Sequence, residues 1–431
     1  TAEQENVSRD IARQLQYAHY RSLKIDGGVS SQVLDNYLKA LDPQRLYLTS
    51  ADVESFEAYR FRLDGAIKTG QLDPAFLIYK TYQQRLDRQL DFVLRLLDAG
   101  LERLSFEGHE TLLIDRSEAP WAKDEEALNL LWEKRIKSAV LSQRLTGKKD
   151  EEILTSLKRR YESQRKRAWQ ARSEDVFQTY MNALTNTYDP HTQYFSPRSS
   201  ENFNINMSLS LEGIGAVLQS DNEFTKVVRL VPAGPADKNG ILQPADRIIG
   251  VGQGESAEIV NVNGWRLEEV VDLIRGPKQT VVRLEIIPAK SSDENETRIV
   301  SIVRDKVKLE DQSAQSDVIR LQRGAHTYSL GVIHIPTFYA DFRALQAGDE
   351  DARSTTQDVL QLIENLKQQG IDGLIVDLRN NGGGALQEAI GLTGLFIERG
   401  PTVQVRTADD RVRVYDDPDS SIAYTGPLAV L

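Results

Sequence analysis

A multidomain α+β architecture is what this sequence predicts, and three observations carry it. Apolar residues recur at helical spacing from Ser8 to about Tyr188. From about Phe203 the period shortens to that of strands, which marks a domain boundary. Between Gly370 and Gly394 a short apolar strand, a glycine run and an amphipathic stretch form one strand, loop and helix unit. At 431 residues the chain is too long for one core. The expectation is an all-α N-terminal domain over 1–200, a β-rich domain over 203–305 and an α/β portion over 306–431.

Composition narrows the function classes. The net charge of −11 disfavours nucleic acid and anionic lipid as partners. Basic runs such as Lys158-Arg159-Arg160 sit in helical sequence and read as a solvated face. No stretch of about 18 apolar residues is present, so no membrane span is expected, and Thr1-Ala2-Glu3-Gln4-Glu5 is not a signal peptide. The chain has no cysteine, which excludes a thiol nucleophile, disulfides and thiolate metal sites.

The first helices follow from the stripes Ile11, Leu15, Ala18 and Val33, Leu34, Tyr37, Leu38, Leu41. Further helices are expected over 50–68, 72–97, 123–145, 150–170 and 173–188. Ser173 caps the last of these, with Glu174 and Asp175 beside its positive end. Gly27-Gly28, Asp42-Pro43, Gly70 and Gly100 read as breaks. Trp121 reads as packing into a helical groove. No catalytic constellation stands out before residue 188, leaving a docking or gating role and a purely structural bundle both open. Pro190 in Asp189-Pro190-His191 ends the helices. With no serine or cysteine partner at a recognisable spacing, His191 reads as a hydrogen-bonded structural residue.

In the β-rich domain, Leu211-Glu212-Gly213-Ile214-Gly215-Ala216 resembles the carboxylate-binding loop of PDZ domains. Backbone amides of Gly213, Ile214, Gly215 and Ala216 suit a terminal carboxylate, and Ala216-Val217-Leu218 is the edge strand that pairs with an extended peptide. Gly234-Pro235-Ala236-Asp237 resembles the short PDZ helix, and 267–274 is the longer helix forming the other groove wall. Leu267 and Val271, one turn apart, are the expected apolar contacts. Strands are expected over 246–251, 281–287 and 297–304, the last two joined by a polar turn at 291–296. Two positions depart from the PDZ pattern: Ala245 and Gln279 stand where turn glycines are usual.

The last portion is organised by its glycine loop. Leu374-Ile375-Val376-Asp377-Leu378 is strand-like, Asn380-Asn381-Gly382-Gly383-Gly384 is the loop, and the helix after it carries Leu386, Ala389, Ile390 and Leu395. The first amides of a helix lack internal partners, so the loop either presents N–H groups to an anion or oxyanion or serves as a tight turn. His334 reads as a residue on one face of the strand Leu330-Gly331-Val332-Ile333-His334. A helix is expected over 355–369, and strands over 402–406, 411–415 and 428–431.

Asp377-Leu378-Arg379-Asn380-Asn381-Gly382-Gly383-Gly384 resembles the motif of carboxyl-terminal processing peptidases, the tail-specific proteases. Asp189-Pro190-His191 and Pro336-Thr337-Phe338-Tyr339 resemble further segments of that family, in the same order. The resemblance implies a serine endopeptidase with a crotonase-like α/β core, in which Gly383 and Gly384 supply oxyanion-hole amides and the PDZ region selects proteins with apolar C-termini. It implies a Ser/Lys dyad, no metal or organic cofactor, a periplasmic location and a periplasmic adaptor lipoprotein as partner. The family's Ala-Ser-Ala-Ser-Glu sequence and later lysine base are not found in these residues. The expectation is therefore a peptidase core cut short before its nucleophile and inactive by itself. A non-proteolytic PDZ scaffold is the alternative, and a crotonase-type thioester enzyme is a more distant one.

Overall fold

The structure, a computed structural model, describes residues 1–291, 296–348, 352–417 and 420–431. Residues 292–295 of the expected polar turn lie outside it. The chain divides into two compact units, Thr1–Ser196 and Pro197–Leu431.

The first unit is helical: α1 (Ala2–Ala18), α2 (Gly27–Leu41), α3 (Ser50–Phe56), α4 (Leu63–Thr69), α5 (Asp73–Asp98), α6 (Glu125–Leu145), α7 (Asp150–Trp169) and α8 (Ser173–Thr185). Gly27-Gly28 opens a helix instead of separating two, because the Asp26 carboxylate accepts the Gly28 and Val29 amides and caps α2. The single helix expected over 50–68 is broken by a 3-10 turn at Glu57–Tyr59. The buried Ser30 hydroxyl takes the Leu63 amide, a donor that a continuous helix would have used internally. At α8 the cap is Arg172, not Ser173, and Asp175 accepts the Arg172 amide. One core gathers Leu34, Tyr37, Ile67, Ile78 and Tyr180; a second joins Leu90, Val93, Trp132, Ile136 and Tyr161. Each such side chain contributes about 1.5–3 kcal/mol by leaving water. Trp121 packs at the edge of the first core, with the Arg45 guanidinium 5.1 Å from its ring centroid.

The second unit begins with α9 (Pro197–Ser208), so the helical stretch runs past Phe203 and the expected change of period is corrected to Ser210. Arg198 pairs with Asp272 at 2.9 Å, and Arg275 donates to Asn202 at 2.8 Å, ties from outside that hold a polar segment in helical form. After β1 (Ser210–Gly213) come β2 (Ala216–Asp221), β3 (Phe224–Leu230), α10 (Pro235–Asn239), β4 (Arg247–Gln253), β5 (Val260–Asn261), α11 (Leu267–Ile274), β6 (Val281–Ile287) and β7 (Arg298–Val303). Their antiparallel sheet has the order β2-β3-β4-β6-β7, with β5 on β4. Val227, Ile248, Val270, Leu284 and Ile302 fill its core. Ala245 and Gln279 keep the turn geometry of glycine, at φ values of +71° and +67°.

β8 (Asp305–Lys308) pairs with β1 as a separate ribbon in which Gly213 faces Asp305. Next come β9 (Gln315–Arg323), β10 (His326–His334), α12 (Phe342–Gln346), α13 (Thr355–Gln368), β11 (Gly373–Asp377), α14 (Leu386–Gly394), β12 (Gly400–Arg406), β13 (Val412–Asp417) and β14 (Leu428–Val430). The central sheet has the order β14-β11-β10-β9. β11 runs parallel to both β10 and β14, while β9 and β10 form an antiparallel hairpin. Val359, Ile363 and Leu366 of α13 cluster with Ile333, Leu374 and Val376. That packing covers one face of β10 and β11.

Candidate functional site

β11 and β10 end side by side, with His334 level with Asp377, and the glycine loop starts there. Open parallel sheets present ligand sites beyond the carboxyl ends of their strands. Arg379 folds back on Asp377, its Nε and Nη2 donating to the carboxylate at 3.0 and 2.8 Å, with its backbone N–H adding a third bond at 3.0 Å. These bonds pull the Asp377 pKa down to about 2. His334 is exposed, its Nδ1 3.9 Å from the Asp377 carboxylate. Asn380 takes a left-handed φ of +64°, a conformation asparagine tolerates, and turns the chain into the glycines.

Each glycine amide has a different fate. The Gly382 N–H donates to the Pro336 carbonyl at 3.0 Å, and the Gly383 N–H to Asn381 Oδ1 at 2.7 Å. Phe338 forms a parallel bridge with Gly384: its N–H donates to the Gly383 carbonyl and its carbonyl accepts the Ala385 N–H, both at 2.8 Å. In a trans peptide the C=O and the following N–H point in opposite directions. With the Gly383 carbonyl held by Phe338, the Gly384 N–H therefore faces away from that segment, and among the described residues it donates to none. Of the two amides the family resemblance singled out, Gly383's is engaged and Gly384's is free. Gly384 must be glycine, since a Cβ there would lie 2.2 Å from the Phe338 oxygen.

The segment opposite the loop is itself anchored. Tyr339 is fully buried; its N–H donates to Thr355 Oγ1 at 2.7 Å and its hydroxyl to Asp358 at 2.6 Å. Burial, reinforced by Asp358, pushes the phenol well above its ordinary pKa, so it remains a donor. Asn381 Nδ2 donates to the Ile335 carbonyl at 2.8 Å, joining the loop to the end of β10.

The PDZ-type site uses the same geometry. The Ile214 carbonyl accepts the Ala236 N–H and the Gly215 carbonyl accepts the Val231 N–H, each at 2.8 Å. The Gly215 and Ala216 amides accordingly face the other way. Gly215 has a φ of +71°, and a Cβ there would lie 3.3 Å from the Gly234 Cα. Gly213 stands at the end of the ribbon, opposite Asp305. Ile214 is 3% exposed and its side chain belongs to the domain core, so what it brings to the loop is backbone alone. Among the described residues β2 has β3 as its one strand neighbour, which leaves its other edge open. Val217 is exposed, Ala216 and Leu218 pack against the core, and Leu267 and Val271 are half-buried on α11. Arg304, 3% exposed, donates to the Leu273 and Ile274 carbonyls at 3.0 and 2.8 Å and holds the C-terminal end of α11.

His191 is not the hydrogen-bonded imidazole expected: its ring is exposed and its backbone N–H donates to Asp189. The imidazole on Asp189 is that of His19, at 2.7 Å, from α1's C-terminal end. Thr337, Asn381 and Arg304 escaped sequence reasoning as positioning residues. Asn381 lay within a recognised motif and Thr337 at the variable position of another, Pro336-Thr337-Phe338-Tyr339, whereas no local signal marks Arg304.

Three family models match in chain order: Tail specific protease N-terminal domain over residues 11–198, PDZ domain over 202–287 and Peptidase family S41 over 329–431. The chain is 39% identical over 430 residues to a tail-specific protease of Haemophilus influenzae, an alignment covering 100% of this chain and 58% of that relative. It thus spans little more than half the length of that protein. Over 215 residues it is 31% identical to the carboxy-terminal processing protease CtpA of Bacillus subtilis, covering 50% of this chain and 39% of the relative. Among solved structures, the PDZ domain of a carboxy-terminal protease from Vibrio cholerae, in complex with peptide, is 50% identical and covers 23% of this chain and 100% of its own, with a TM-score of 0.22.

Proposed function

Because this chain belongs to the tail-specific protease family, with its helical N-terminal region, PDZ domain and S41 β/α portion, we propose that the native protein is a periplasmic endopeptidase that captures proteins by a free apolar C-terminus and cleaves them by a serine/lysine mechanism. The observation that carries this reading is the Gly384 amide, unpaired among the described residues and aimed away from its support. A donor held in that way stabilises the oxyanion formed when a serine attacks a peptide carbonyl, without reorganising during the reaction. An unprotonated lysine accepts the serine proton and returns it to the leaving amine. Residues 1–431 contribute the oxyanion donor and the tail site; the nucleophile and base come from elsewhere in the native protein, so these residues alone do not cleave. A periplasmic adaptor lipoprotein as partner rests on family resemblance.

At the tail site the substrate carboxylate lies on the Gly215 and Ala216 amides, its backbone extends β2, and its terminal side chains meet Leu267 and Val271. Charge-assisted hydrogen bonds contribute roughly 1.5–3 kcal/mol each, so amidating the terminus weakens binding by at least about tenfold. A terminal aspartate weakens it further, because the apolar wall would strip its water.

The test has two arms. One peptide in free-acid, amidated and aspartate-ended forms is titrated against residues 1–431. An unfolded protein with an apolar C-terminus is then incubated with the native protein and with residues 1–431. Cleavage by the native protein alone, with the free acid bound tightest, is expected. Equal binding of all three peptides would remove tail selection, and a native protein that binds without cleaving would be a peptide-binding scaffold.

A further inference from the structure

We propose that Thr337 is a positioning residue for the oxyanion site, aiming and polarising the Gly384 amide through the Gly383 carbonyl; this rests on the reading of Gly384 given above. The Thr337 hydroxyl donates to the Gly383 oxygen at 2.8 Å, beside the Phe338 N–H that donates to the same atom at 2.8 Å. The Gly383 carbonyl and the Gly384 N–H belong to one planar peptide, so fixing the oxygen fixes the direction of the hydrogen. One donor defines a point about which the peptide can still rock. Two donors converging from adjacent residues restrain its plane.

The second donor also acts electronically. Hydrogen bonds in a chain polarise one another, and a donor on a peptide carbonyl makes the N–H of the same peptide a stronger donor. The effect matters most in the transition state, where negative charge develops on the oxygen accepting from Gly384. Asn381 holds the preceding peptide through the Gly383 N–H, so the peptides on both sides of Gly383 are fixed. The Thr337 hydroxyl is half-buried, and the Gly383 oxygen remains bonded to Phe338 without it. Its removal therefore leaves no orphaned acceptor, which separates a kinetic effect from a folding defect.

The experiment is done in the native protein with Thr337→Val, Thr337→Ser and Thr337→Ala, measuring kcat and KM on an unfolded protein with an apolar C-terminus, thermal midpoints, and inhibition by a peptide aldehyde. Losing one hydrogen bond to a neutral acceptor corresponds to about a two- to tenfold change. Valine should lower kcat by that factor with KM unchanged, and should weaken the aldehyde, which forms an oxyanion adduct, in proportion. Serine should restore both to within about twofold, and alanine should match valine. Wild-type kcat in the valine variant would overturn the proposal, as would a serine variant as slow as valine, or a loss in alanine absent from valine, which would assign the effect to packing. A wild-type protein that does not cleave would instead remove the function on which the proposal rests.

Discussion

Gly384 lies directly against Phe338: a Cβ on the glycine would stand 2.2 Å from the Phe338 carbonyl oxygen, the atom that accepts the Ala385 amide. Gly382, two residues earlier, has open space where its Cβ would be. The two positions should therefore separate cleanly. In the native protein, Gly384→Ala should lower turnover by about 10²–10³, the cost of misplacing an oxyanion donor, while Gly382→Ala should cleave at close to the wild-type rate. Matching rates for the two variants, measured on one tailed substrate, would assign the loop a turning role only.

Asn381 spans two backbone groups, accepting from Gly383 and donating to Ile335. Asn381→Ala should destabilise residues 1–431 by about 1–3 kcal/mol, since it strips both partners from part-buried groups. Asn381→Asp keeps the acceptor and should fall between alanine and the wild type. Urea midpoints decide the order; an aspartate variant less stable than alanine would contradict it.

Ala245 and Gln279 hold left-handed backbone at φ +71° and +67°. That conformation costs an L-residue about 1–2 kcal/mol, offset in part by the extra chain entropy glycine loses on folding. Ala245→Gly and Gln279→Gly should each raise stability by about 0.5–1 kcal/mol in denaturant unfolding. A lower midpoint in either would show its side chain to be making compensating contacts.

Arg379 holds the Asp377 carboxyl at a pKa of about 2. A carboxyl depressed below its unfolded value of about 3.9 favours the native state above that value and loses the contribution as pH falls through the native one. Between pH 4 and pH 2 the thermal midpoint of residues 1–431 should thus drop more steeply than that of Asp377→Asn. Parallel curves would mean that the ion pair with Arg379 contributes no pH-dependent stability.

Much of the site was legible because it is local. The motif from Asp377 to Gly384 carries its own strand, turn and glycines, and the helix after it follows from apolar spacing. Which amide is free was not legible, because that depends on Thr337 and Phe338, and Thr337 lies 46 residues before the carbonyl it holds. At α9, Phe203, Ile205 and Met207 alternate with polar residues and read as a strand. The segment is helical because tertiary ties through Arg198 and Asn202 override a weak local preference. β9 escaped for another reason: both faces of its outer half are exposed, so the short alternation Ile319-Arg320-Leu321-Gln322 marks no buried face. The His19 contact with Asp189 joins residues 170 apart and has no sequence signature.

The ribbon in which Gly213 faces Asp305 also bears on the order of folding. Its strands, Ser210–Gly213 and Asp305–Lys308, are short and stand on either side of the whole β-rich domain. If residues 214–304 were still a coil, bringing the two strands together would cost about 4 kcal/mol of loop entropy, more than a four-residue pairing readily returns. Once those residues have closed their own sheet, the ends already lie side by side and that cost has been met. The ribbon should accordingly form late, after the domain it encloses. Refolding followed by amide exchange should find the amides of β4 and β6 protected before those of β1 and β8.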